Sequence, residues 1–269
     1  MKTLHNHVIL YDADCPMCNL YTKAFVKTGM LDTNGRIPFS PTELPPQVDV
    51  KRACDEIALV NCATHEVTYG IDSLFKILAH RFTFLNPLFK LSIFRTTLSQ
   101  LYAFISFNRK VIVPATQTES SCTPSFNFSY RIAYLIFSWV LTSLILTSFA
   151  THLPIPATSF GREFLICGGQ LLFQGSVVWF TNRNRVFDYI GNMMTVSLIG
   201  GLLLLPMLAI HSLQAIPSFA FLVWFAIVVT LMLFMHMHRV KLLQASGWLT
   251  LTWIGYELVV AAHLLISRT

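Results

Sequence analysis

The sequence predicts an α/β domain over residues 1–112, a linker over 113–128 and an α-helical transmembrane bundle over 129–269. Three observations carry this division. A short apolar run, Val8-Ile9-Leu10-Tyr11, passes through Asp12-Ala13-Asp14-Cys15-Pro16-Met17-Cys18 directly into the helix-spaced stretch Leu20–Lys27. The apolar excess of the chain, 54% hydrophobic and 12% charged with a mean hydropathy of +0.58, is concentrated after about Phe126. Residues 1–125 instead carry 12 Lys/Arg and 10 Asp/Glu, an ordinary balance for a globular domain.

The first strand is Val8–Tyr11, and the first helix begins inside the cysteine motif. Pro16 suits the first helical position, where its missing N–H costs nothing, which makes Cys15 the N-cap residue. There the sulfur meets the unpaired N–H groups and the positive dipole end of the helix, a setting that favours the thiolate. Cys18 lies one turn further on the same face and can close onto the first sulfur. The expected roles are Cys15 as attacking nucleophile and Cys18 as resolving thiol. A metal site of the usual kind would want a second closely spaced pair, and Cys54, Cys62, Cys122 and Cys167 form none, so neither a metal nor a cofactor is expected.

Breaks at Thr28-Gly29 and Asp32–Gly35 end the helix, and Arg36–Ser40 then reads as a second strand, giving a parallel βαβ unit. Pro41–Pro46 is a loop. Glu56–Val60 and Glu66–Gly70 read as a hairpin, followed by a helix from Asp72 or Ser73. The sum is a four-stranded sheet with the cysteines at the carboxyl end of its first strand, where open α/β sheets place their sites. Residues 85–107 form either helices packed on the sheet or an amphipathic element on a membrane surface. Val113–Ser121 is polar, unpatterned linker.

Five apolar stretches approach the roughly 20 residues that span a bilayer core. They are Tyr130–Phe149, Phe164–Phe180, Tyr189–Ile210, Phe219–Met235 and Trp248–Ile266; the second is interrupted by Gly168, Gly169, Gln170 and Gln174, which leaves a four-span count open. Arg131, Arg183, Arg185, Arg239 and Lys241 cluster on alternate loops, so the positive-inside rule puts the N-terminal domain on the cytoplasmic side of an inner membrane. Met1–His7 lacks the basic and apolar segments of a cleaved leader, which agrees with that side. The net charge of +6 is largely this bias, and residues 1–110 hold no basic patch interleaved with aromatics, so no nucleic-acid partner is expected.

The order of strand, Asp-Cys-x-x-Cys, helix, strand, hairpin and helical tail resembles the DCC family of thioredoxin-like thiol-disulfide oxidoreductases. The resemblance covers about residues 5–112 and rests on Val8–Phe25, Ile57–Leu78 and Leu101–Lys110 with its Asn108-Arg109. It implies a thioredoxin-like fold, a redox pair at Cys15 and Cys18, and Asp14 as the signature aspartate. Pro16 is similar to the proline in the Cys-Pro-x-Cys of glutaredoxins. Thioredoxins and glutaredoxins also carry a cis-proline before the third strand, and Val50–Asp55 offers no proline there.

Several other residues invite a role. Asp14 would by charge raise the thiol pKa of Cys15. Either Asp14 or Asp12 serves as proton acceptor for Cys18, or one of them ties down the turn. Glu257 lies mid-span with His263 or a histidine of another span as a candidate partner, and either functions in the bundle interior or sits there as a protonated structural acid. Gln170 and Gln174 share a face suited to joining helices. His236 and His238, two apart on a helix, face opposite ways and suit an interfacial cap better than one metal ion. Cys54 and Cys62 read as ordinary thiols.

The sequence therefore predicts a membrane-anchored thiol-disulfide oxidoreductase whose partners are a thiol or disulfide substrate and the lipid bilayer, with an electron donor that the residues do not name. The alternative is a multi-span protein, a transporter subunit or binding partner, whose small domain is a redox sensor or an inactive adaptor.

Overall fold

The computed structural model describes residues 2–40, 44–114, 123–156 and 160–266, in two compact units, Met1–Arg131 and Ile132–Thr269. The start of the proline loop at 41–43 and half of the expected linker, 115–122, lie outside the described residues.

The first unit is built on a four-stranded mixed sheet. Strand β1 (His7–Tyr11) leads into helix α1 (Pro16–Lys27), which returns the chain to β2 (Arg36–Pro38), parallel to β1. Helix α2 (Val50–Asp55) comes next, then the antiparallel pair β3 (Ala58–Asn61) and β4 (Val67–Tyr69), with order β2-β1-β3-β4. The period-2 alternation of β1 divides the core. Ile9 joins Leu31, Leu59 and Ile77 on one face under Tyr21, Phe25 and Tyr102, while Leu10 joins Phe39, Val48, Ala58 and Val60 on the other. Gly29, at φ +66°, closes α1 in the left-handed conformation that glycine adopts without a Cβ clash.

Helix α2 occupies the stretch the sequence reading left without an element. Asp49 caps it by accepting from the Arg52 N–H at 2.9 Å. Helix α3 (Ile71–Arg81) follows β4, and after a 3-10 turn at Thr83–Leu85 come α4 (Asn86–Lys90) and α5 (Ser92–Ile112). Of the two expectations for residues 85–107, packing on the sheet holds for the second half of α5. Tyr102 Oη accepts from the Ile57 N–H at 2.9 Å, and Ser106 Oγ donates to the Asp55 carbonyl at 2.6 Å.

Long apolar helices make up the rest: α6 (Phe128–Ala150), α7 (Phe160–Asn182), α8 (Val186–Leu213), α9 (Ser218–Leu242) and α10 (Trp248–Ile266). Among the described residues, four helical segments are long and apolar enough to cross a membrane, and one of them, Gly161–Leu213, is broken at Arg183–Arg185 where α7 ends and α8 begins. The break is a reversal, because Tyr189 Oη of α8 donates back to Gln174 Oε1 of α7 at 3.1 Å. Thr252 of α10 donates to the same oxygen at 3.3 Å, so Gln174 does join helices.

His236 is packed between helices. It is buried, with Tyr189 Oη 3.0 Å from Nε2, Thr250 Oγ1 3.3 Å from Nδ1 and the Trp253 ring stacked on it. Its helix turns His238 outward, as the two-residue spacing requires, and places Arg239 inward on Asn192 at 2.9 Å. Glu257 hydrogen-bonds with Gln170 of α7.

Candidate active site

Helix α1 begins where its sequence puts it. Cys15 is the N-cap, with extended backbone at φ −88° and ψ 110°, Pro16 opens the helix, and Cys15 Sγ accepts from the Cys18 N–H at 3.5 Å. An N-cap sulfur meets N–H groups that have no partner within the helix, which is what a thiolate needs. Cys15 and Cys18 are both free thiols, Cys15 buried at 5% exposure and Cys18 half-buried.

The pair shares its proton unequally. A hydrogen bond from the Cys18 thiol, then the Cys18 N–H and the charge of Arg109, bring the Cys15 thiol down from an ordinary 9.0 to about 6 against the opposing effects of burial and Asp12. Cys18, as the donor in that bond and partly buried, is pushed well above the ordinary thiol range. Tyr21 Oη approaches Cys18 Sγ at 3.7 Å as a donor, which acts in the opposite sense. At neutral pH Cys15 is therefore the thiolate and Cys18 holds the proton.

Asp12 and Asp14 take different places. Asp12 is buried, and its Oδ1 accepts from the Asp14 N–H at 3.1 Å, a local bond that fixes the turn. Asp12 Oδ2 accepts from Arg109 Nη2 at 3.2 Å. Asp14 is half-buried beside this turn, within the electrostatic reach of Lys110.

Arg109 was missed as a site residue. The sequence signal was present in Asn108-Arg109, near the end of α5, but which element the arginine would reach was not legible. Its guanidinium also donates to the Cys54 carbonyl at 2.8 Å and to the Asp55 carbonyl at 3.4 Å, so α5 clamps the end of α2 and the loop after β1. Lys110, lowered by burial, lies within the electrostatic reach of Asp12, Asp14 and Cys15. Tyr21 and Tyr102 were also missed as site residues. Burial pushes the Tyr102 phenol up to about 12, which keeps it a neutral donor and acceptor near the thiols.

Of the remaining cysteines, Cys62 is an exposed free thiol, whereas Cys54 is disulfide-bonded and not the ordinary thiol expected. Among the described residues no three His, Cys, Asp or Glu side chains gather where one metal ion would be held. Chemically the site offers a low-pKa sulfur, a protonated sulfur one turn away and a buried cation close by. No family model matches the chain, and no curated protein or solved structure matches it.

Proposed function

We propose that the chain is a membrane-anchored thiol-disulfide oxidoreductase of the thioredoxin-like, DCC type, working through Cys15 and Cys18. The observation that carries this reading is the N-cap thiol of Cys15, brought to about 6, with a proton-bearing Cys18 one turn away. The Cys15 thiolate attacks one sulfur of a substrate disulfide, and the other substrate sulfur leaves as a thiolate and takes a proton. Cys18 then loses its proton and attacks Cys15 Sγ in the mixed disulfide, releasing the second substrate sulfur. The substrate gains two electrons and the Cys15–Cys18 disulfide is left. A thiol donor must return the electrons before the next cycle.

Cys15 is only 5% exposed, so its surroundings have to open for a substrate to reach the sulfur. That burial is also what favours the second reading, a redox sensor or inactive adaptor on a multi-span protein. A Cys18→Ser variant separates the two. An oxidoreductase accumulates mixed disulfides on Cys15 with identifiable partners, and a sensor or adaptor yields no Cys15-dependent adduct.

The alternation of basic loops supports an inner-membrane protein with its N-terminal unit cytoplasmic and the pair running in the reducing direction. The Cys54 disulfide pulls the other way, since reducing compartments keep such bonds open. Labelling of the exposed Cys62 with a membrane-impermeant maleimide in intact cells decides: protection places the unit inside, and labelling places it outside.

A further inference from the structure

Between Phe82 and Ile93 the first unit displays large apolar side chains that its own core does not take up. Phe84 is 75% exposed, Leu91 54% and Ile93 78%, with Phe82 and Leu88 also open to solvent. This display is fixed in place. Phe89 stacks on Phe75 of α3 with ring centroids 4.4 Å apart, and Phe94 lies 6.4 Å from the same ring, so the inward aromatics pin α4 and the start of α5 to α3. Turning Phe89 and Phe94 inward leaves Leu91 and Ile93 facing out.

The charge around this face has one sign. From Ser73 to Pro114 the chain contains no Asp or Glu. Arg95 is neutralised by Asp72 of α3, with Nη2 to Oδ2 at 2.6 Å and Nε to Oδ1 at 3.1 Å. The exposed Lys90 forms no ion pair among the described residues, whereas half-buried Arg81 turns its guanidinium onto the Thr28 carbonyl at 3.4 Å, which leaves one open cation on the segment itself. Exposed Phe, Leu and Ile beside an open Lys90, on a stretch without carboxylates, match the interface of an anionic bilayer, where the rings enter the headgroup and acyl boundary and the ammonium meets a lipid phosphate. A protein partner of comparable apolar character would bring no requirement for the missing carboxylates. The chain also continues from Phe128 into helices apolar enough to cross a membrane, so such a surface is within its tether.

We propose that the segment Phe82–Ile93 is a membrane-surface anchor of the first unit, docking on anionic phospholipid. The inference is independent of the redox reading. It is tested on the full chain in nanodiscs containing a phospholipid with a photoactivatable acyl chain, either in phosphatidylcholine alone or with added phosphatidylglycerol, with adducts mapped by mass spectrometry. Adducts on the long apolar helices report insertion in both cases. The expected result is a second set of adducts on residues 82–93 that rises several-fold with phosphatidylglycerol. It is lost in a Phe84→Asp/Ile93→Asp variant, two changes at exposed positions that leave the fold in place. Adducts confined to the apolar helices in both lipids, or protein–protein cross-links through residues 82–93 in place of lipid adducts, overturn the proposal.

Discussion

Arg109 Nη2 lies 3.2 Å from Asp12 Oδ2, joining residues 97 apart in the chain, each only 7% exposed at its side chain. The bond ties the last helix of the first unit to the loop that precedes the cysteines. Losing one member of such a pair strands the other charge in the interior, which costs about 3–5 kcal/mol. Arg109→Ala should therefore destabilise the unit by about 3 kcal/mol, read as faster hydrogen exchange of α5 and β1 amides. It should also raise the Cys15 pKa, because the guanidinium is one of the groups that lowers it. Arg109→Lys keeps the charge but not the fork, so it should restore the titration better than the stability. Wild-type exchange and titration in Arg109→Ala would rule out both roles.

The pH dependence of the site follows from Cys15. Its folded-state thiol is lowered from 9.0 to about 6, so alkylation by a small reagent should rise through pH 6 and level off below pH 8. Exposed Cys62 serves as the comparison thiol in the same chain. A group with a depressed folded pKa stabilises the fold above its unfolded value. That contribution is present in the reduced protein above pH 9 and is lost as the pH falls towards 6. A Cys15 rate that tracks Cys62 across this range would remove the main support for the redox reading.

Tyr21→Phe tests the second half of the reaction. The phenol donates to Cys18 Sγ at 3.7 Å and opposes the upward push on that thiol. Without it Cys18 should give up its proton less readily, and the mixed disulfide should persist several-fold longer in a stopped assay. The alkylation rate of Cys15 should change little. A faster resolution step would show that the hydroxyl holds Cys18 back.

In the bundle, His236 combines a stacked ring with two hydrogen bonds, which separate variants resolve. His236→Phe keeps the stack on Trp253 and removes the contacts to Tyr189, which retains Gln174, and to Thr250, at a cost of about 1 kcal/mol by analogy with polar contacts between membrane helices. His236→Ala also opens a cavity and should cost about 2 kcal/mol or more. Thermal denaturation in detergent gives the order, and equal losses would mean that the ring contributes nothing beyond its nitrogens.

Local chemistry made much of the fold legible. The strand before Asp12, the N-cap at Cys15 followed by Pro16, the turn at Gly35 and the hairpin through Asn61 each depend on neighbours within a few residues, and each stands where the sequence placed it. The apolar helices were equally plain, since length and hydropathy are properties of a window. Contacts that depend on distant residues were hidden. Nothing near Arg109 announces Asp12, and nothing near His236 announces Tyr189 and Thr250. Helix α2 was missed because its cap, Asp49, and its charged first turn resemble a loop when read in line.

The cap at the start of α1 has a thermodynamic consequence. Its acceptor is the Cys15 sulfur, which carries a negative charge only while the pair is reduced. Closing the disulfide removes that anion from the helix end, so the same interaction appears twice in one cycle: once as extra heat resistance of the dithiol protein, once as a pull towards reduction. The difference in melting temperature between the two redox forms thus reports the oxidising strength of the pair without any substrate in hand.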